Sequence, residues 1–197
     1  MIGVDFWQGR YDASNTPWDL GGPSPHFVEL LKQLPAFLKP GNMAVFGAGR
    51  GHDAALFAQH GFDVLGLDYA PGAVQGASQL YGSVARFEQA NIFDLVDPAS
   101  PKAGTFDYLL EHTCFCAILP QERSAYVQAA GNLLKPGGYL IGVFWEHSDA
   151  DGPPFSTTET EIHRAFEPIF DVVDIQAKSP AADRSGTERL VILRRKA

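Results

Sequence analysis

Residues 43–69 read MAVFGAGRGHDAALFAQHGFDVLGLDY. The apolar run MAVFGAG (43–49) predicts a buried strand, HDAALFAQHG (52–61) a helix ending on glycine, and DVLGLDY (63–69) a second strand. Strand, helix and strand at this spacing form one βαβ unit, with parallel strands and a right-handed crossover.

The alternation continues downstream. A small-residue helix is expected from Pro71 to Tyr81, then a strand around ARFEQANIF, a strand FDYLLEHTC, a helix QERSAYVQAAGNLL halted by Lys135-Pro136-Gly137-Gly138, and a strand YLIGVFWEH. After a helix TETEIHRAFEPIF, the runs DVVDIQAKS and ERLVILRRK are separated only by PAADRSGT, which has no room for a helix, so they should pair as an antiparallel hairpin. Upstream, HFVELLKQLPAFL places Phe27, Leu30, Leu31 and Leu34 at helical spacing, and before it DFWQGRYDASNTPWDLGGPSP reads as an extended aromatic arm. The expected fold is α/β: a mostly parallel seven-stranded sheet with a C-terminal antiparallel hairpin and helices on both faces, forming one domain over residues 1–197. SDADGPPFS (148–156) reads as a surface loop and a candidate lid.

At 197 residues and 45% hydrophobic content, one sizeable core accounts for the chain. A net charge of −8 lacks the basic face a phosphate backbone demands, so no nucleic-acid partner is expected. Neither an export leader nor an apolar run of spanning length is present, so the expectation is a cytoplasmic protein with no membrane partner. Cys114 and Cys116, two apart in a segment read as extended, share a face, but no second Cys or His pair completes a metal set. They are read as buried free thiols, and no metal is expected.

Gly47, Gly49 and Gly51 stand where the first strand becomes a helix, and the missing Cβ atoms let a ligand approach backbone N–H groups. A dinucleotide fingerprint needs its third glycine at position 52, which is His52. Asp68, with Tyr69 beside it, ends the second strand where a carboxylate accepts from ribose hydroxyls. Asn91 and Ile92 end the third, where an amide and an aliphatic group suit an adenine edge and face. These residues point to a nucleoside without identifying it.

VFGAGRG, Asp68 and LLKPGGYL together resemble the motifs of class I S-adenosylmethionine-dependent methyltransferases, a Rossmann-like fold. The opening FWQGRYDASNTPWDLGGPSP, with EHTCFCAILPQERSAY and DGPPFSTTETEI, is similar to the thiopurine and thiol or halide methyltransferase family. The resemblance implies S-adenosylmethionine as cofactor, with Gly47, Gly49, Gly51, Asp68, Tyr69, Asn91, Ile92 and His112 at its site. It also implies that residues 1–25 fold over the pocket and bring Trp7, Tyr11 and Trp18 to cofactor or substrate; rings suit both a sulfonium and an apolar acceptor. The implied acceptor is a small soft nucleophile, most readily a thiol, with thiopurines, hydrogen sulfide and halides as family alternatives, and the implied assembly is a monomer. Two positions depart from the family: Ala48 replaces the usual cysteine of the first motif, and His112 stands where tyrosine or arginine is common.

Methyl transfer from a sulfonium is an in-line displacement, so alignment supplies much of the catalysis. A thiol is partly ionised at neutral pH and a halide needs no deprotonation, so no base is obligatory. His112, following Glu111 at the end of the fourth strand, is the candidate catalytic residue, orienting a thiol or taking its proton. His26, His52, His60, His147 and His163 share no ligand spacing and read as packed or solvated. Two alternatives stay open: an NAD-dependent oxidoreductase, sharing the glycine loop and Asp68, and a non-catalytic S-adenosylmethionine-binding module.

Overall fold

Along β1 (Asn42–Phe46), Met43 and Val45 point to one side and Ala44 and Phe46 to the other, and all four are buried. A strand apolar on both sides belongs in the middle of a sheet covered on both faces. Met43 and Val45 join a core with Phe27 and Leu31, from helix α2 (Pro25–Gln33), and Phe57, from α3 (His52–Gln59). Ala44 and Phe46 join the opposite core with Tyr126 and Ala130, from α5 (Arg123–Leu133), and Phe166, from α6 (Glu159–Phe166).

The computed structural model describes residues 2–149, 151–181 and 185–197. Its other elements are α1 (Val4–Asp12), β2 (Asp63–Asp68), α4 (Pro71–Tyr81), β3 (Arg86–Gln89), β4 (Phe106–His112), β5 (Leu134–Glu146), β6 (Phe170–Lys178) and β7 (Thr187–Arg195). The seven strands lie in the order β3-β2-β1-β4-β5-β7-β6. The first five run parallel, and β7 is antiparallel to both β5 and β6. The expected terminal hairpin therefore forms, with β7 lying between β5 and β6; of its connection PAADRSGT, residues 182–184 lie outside the described residues. Strand order reverses between β1 and β4, which opens a crevice at the carboxyl ends of the strands.

Three local expectations need correction. The N-terminal arm is not extended throughout: Val4–Asp12 forms α1, with Asp5 in its first turn, Arg10 in its last, and no buried residue. Its stability comes from charges matched to the helix ends, a cation–π contact of Arg10 over Phe6 at 5.2 Å, and docking on α4, where Gln8 Oε1 accepts from Gly72 N at 2.8 Å. The Lys135–Gly138 stretch does not stand between α5 and a strand. It is the irregular start of β5, where the pairing register jumps from Phe106↔Leu134 to Tyr108↔Tyr139. Cys114 and Cys116 are not in an extended segment: Thr113 takes φ +54°, and Phe115–Ala117 winds into a 3-10 turn with Cys116 buried and Cys114 half-buried. No helix among the described residues is long and apolar enough to cross a membrane.

Candidate active site

The crevice holds a cavity of about 480 Å³ whose wall is drawn from the carboxyl ends of β1, β2, β4 and β5, the segment after β3, and the N-terminal arm. Of the residues singled out from sequence, Trp7, Tyr11, Trp18, Gly47, Gly49, Asp68, Tyr69, Asn91, Ile92 and His112 all line it. Gly51 does not. At φ +81° a Cβ there would lie 2.8 Å from the Phe87 ring and 3.0 Å from the Ala77 Cβ, so this glycine lets α3 start against β3 and α4. Gly47 has φ +58°, and a Cβ on it would meet the Cys114 sulfur at 2.8 Å; its missing side chain lets the turn after β4 pack on the loop after β1.

Asp68 fixes this loop. Its Oδ2 accepts from Gly49 N and its Oδ1 from Ala70 N, each at 2.9 Å. A carboxylate offers roughly four acceptor positions, so each oxygen keeps a lone pair for a ligand hydroxyl. Burial raises the Asp68 pKa, against backbone N–H groups of Ala70, Gly49 and Tyr69 that favour the charged form. Ala48, where the family's cysteine would stand, acts through its backbone, its N–H donating to Leu67 O at 3.0 Å. Asn91 Oδ1 accepts from Phe93 N at 3.1 Å and caps the 3-10 turn Ile92–Val96, which seats Ile92 against the cavity.

The arm covers this end. Trp18 packs edge-on against Trp7 (centroids 5.7 Å apart) and Tyr11 (6.0 Å). Burial, then the charge of Asp68, raises the Tyr11 pKa and keeps its hydroxyl protonated. Asp19 reaches His52 at 3.2 Å and Arg50 at 3.9 Å, and Ser24 N donates to Asp53 Oδ1 at 2.7 Å, so the second half of the arm is tied to the start of α3 and the loop before it.

The opposite end is made of side chains. Glu111 is fully buried; Oε1 accepts from Cys114 N at 2.8 Å, and Oε2 from Tyr126 Oη at 2.5 Å and Phe115 N at 3.0 Å. Burial pushes its pKa up to about 7 although those donors and His112 favour the charged form. Burial, and next the charge of Glu111, raises the Cys114 thiol well above its usual value, so this cavity-lining sulfur stays protonated. His112 Nδ1 lies 2.7 Å from Asp53 Oδ2. Burial pulls the imidazole pKa down, but the hydrogen bond and charge of Asp53, with Glu188 and Glu111 behind it, outweigh this and leave it raised. The 148–156 loop contributes Pro153 and Pro154 to the wall; Ala150 lies outside the described residues. Its far end is held by Phe155 N donating to Cys116 O at 2.6 Å and by Arg123 donating to the Phe155 and Ser156 carbonyls at 3.2 Å each.

Sequence reasoning missed Asp53, the buried Glu111, Ile118 and Trp145. Asp53 follows the glycine loop on α3 and meets His112 across 59 residues, a contact no local spacing encodes. Glu111 follows the apolar run Tyr108–Leu110 inside a strand, which was the readable signal that something polar awaited it.

The donor set fits S-adenosylmethionine: a carboxylate with lone pairs left at the end of β2, a glycine loop without side chains toward the cavity, and aromatic rings that can face a sulfonium. A family model described as thiopurine S-methyltransferase matches residues 2–195. Thiocyanate methyltransferase 1 of Brassica oleracea is 32% identical over 190 residues, covering 93% of this chain and 82% of the relative. The probable thiol methyltransferase 2 of Arabidopsis thaliana is 29% identical over 187 residues, with the same 93% and 82% coverage. Among solved structures, the 1,6-didemethyltoxoflavin-N1-methyltransferase of Burkholderia thailandensis superposes with a TM-score of 0.76 at 22% identity, over 98% of this chain and 87% of that one.

Proposed function

Because the chain belongs to the thiopurine S-methyltransferase family, whose members use S-adenosylmethionine, we propose that it transfers a methyl group to a small thiol held at the β4–β5 end of its cavity. The observation carrying this reading is that a single cavity is lined both by the glycine loop with Asp68 and by His112, Cys114 and Trp145. The nicotinamide alternative draws no support from the matches, which lie with methyltransferases.

In this reading Gly47 and Gly49 present backbone to the cofactor, Asp68 accepts from its ribose hydroxyls, and Asn91 and Ile92 meet its base, with Tyr69 beside them. Bound there, S-adenosylmethionine supplies an electrophilic methyl carbon on a sulfonium. Trp7, Tyr11 and Trp18, carried by an arm spanning residues 1–25 of a single 1–197 domain, shut out water and bring ring faces to the positive charge. His112 borders the acceptor and orients it toward the methyl carbon. The reading includes a monomer acting on a small molecule in the cytoplasm.

S-adenosylhomocysteine formation, followed with aliphatic thiols, aromatic thiols, thiopurines, hydrogen sulfide and iodide, tests the reading. Turnover of a thiol class above the no-acceptor blank is expected. Cofactor binding without turnover of any acceptor would instead favour a non-catalytic binding module.

A further inference from the structure

Asp53 is doubly committed. Its Oδ1 accepts from Ser24 N at 2.7 Å and its Oδ2 meets His112 Nδ1 at 2.7 Å, with side chains only 14% and 15% exposed. With both oxygens engaged, the carboxylate cannot turn away from the ring. An ionised carboxylate only accepts, so Nδ1 carries the proton of the neutral imidazole and Nε2 keeps the lone pair, on a residue that lines the cavity. The Phe27 ring, edge-on at 5.8 Å, packs against the imidazole. Every other charged group acting on His112 is acidic: Glu111 on its own strand and Glu188 on β7, the latter paired with His26 of α2 at 2.6 Å.

Resting on the methyl-transfer reading, we propose that Asp53 is a positioning residue that fixes His112 as the acceptor of the substrate's proton, which assigns to this cavity a weakly acidic thiol and not an acceptor already anionic in water. A halide or thiocyanate has no proton to give, and the groups behind His112 (Asp53, Glu111 and Glu188) supply no cation to hold it. In the proposed step the proton moves from the acceptor sulfur to Nε2. The S–H electron pair remains on that sulfur and becomes its bond to the methyl carbon, the pair of the broken sulfonium bond leaves with S-adenosylhomocysteine, and the positive charge ends on the imidazolium. Because Ser24 closes the arm, the same carboxylate also links arm closure to the orientation of the base. In Asp53→Asn the amide oxygen can still accept from Ser24 N, but the NH₂ then faces Nδ1, favouring the tautomer with its proton on Nε2, where no base remains.

The test uses the full chain, a series of aromatic thiols of graded acidity, and the variants Asp53→Asn, Asp53→Glu and His112→Phe, with S-adenosylhomocysteine calorimetry to verify folding. At pH 7, Asp53→Asn and His112→Phe are expected to lower kcat about a hundredfold on the least acidic thiol, the scale of general-base catalysis. The loss should shrink to a few-fold on a thiol already ionised, and Asp53→Glu should recover part of it. In ligand-free protein, the NMR titration midpoint of the His112 ring should fall in Asp53→Asn. A loss equal across the series, no loss, or an unmoved His112 midpoint would overturn the positioning role while leaving methyl transfer standing. Wild-type protein that binds S-adenosylhomocysteine but methylates no thiol would overturn the underlying reading as well.

Discussion

On the β1–β2 side of the cavity the loop after β1 is backbone held by one carboxylate; on the β4–β5 side the lining residues His112, Cys114 and Pro154 rest on a network of side chains from β4, α3 and α5. The first end depends on conformation: Gly47 at φ +58° and N–H groups aimed at Asp68. The second depends on buried acids: Glu111 under the turn at Thr113, and Asp53 behind His112. The two ends should therefore fail differently, the first when a Cβ or a carboxylate is changed and the second when a proton is.

The largest effect is expected within the glycine loop itself. Gly51→Ala adds a Cβ at φ +81° against Phe87 and Ala77, and the strain and overpacking should destabilise the fold by about 3 kcal/mol in denaturant melts. S-adenosylhomocysteine affinity in the surviving fold should move little, since Gly51 is off the cavity. Lost binding with intact stability would put Gly51 back among the ligand contacts. Asp68→Ala should weaken S-adenosylhomocysteine binding about a hundredfold by calorimetry, the scale of two charge-assisted hydrogen bonds with partial compensation by water. An affinity within threefold of wild type would remove Asp68 from the ribose site.

The other end is sharpened by pH. The Glu111 pKa is raised from 4.5 to about 7 in the folded protein, so its favourable contribution is whole below the unfolded value and is lost as pH rises through the folded one. Between pH 5 and pH 8 the wild type should lose about 2 kcal/mol of stability relative to Glu111→Gln. Parallel stability curves for the two proteins would mean that the buried carboxyl does not titrate in this range. The smallest effect belongs to the arm's surface tie: Asp19→Asn removes partly exposed ion pairs to Arg50 and His52 and should alter stability by less than about 1 kcal/mol. A larger loss would show that the arm is latched there and not mainly by its aromatic packing.

The same division governs what could be read in advance. The βαβ unit, the parallel sheet, the helix Pro71–Tyr81 and the ligand end around Gly47, Gly49 and Asp68 rest on local periodicity and turn chemistry, and these survive in a sequence. Helix α1 was missed because its aromatic residues recur four apart without a buried stripe; its partners, Gly72 and the facing Trp18, lie elsewhere in the chain. His112 was legible as the end of an apolar strand, but Asp53 was not, because its role exists only once α3 lies beside β4. Gly51 misled for the converse reason: a third glycine in a loop reads as ligand contact until Phe87 is seen to fill the space beside it.

A crystal structure with S-adenosylhomocysteine and an aromatic thiol bound together tests the two-ended cavity most directly. The ribose is expected on Asp68 and the thiol sulfur beside His112, facing the cofactor sulfur. A thiol bound elsewhere, or a ribose that avoids Asp68, would contradict it.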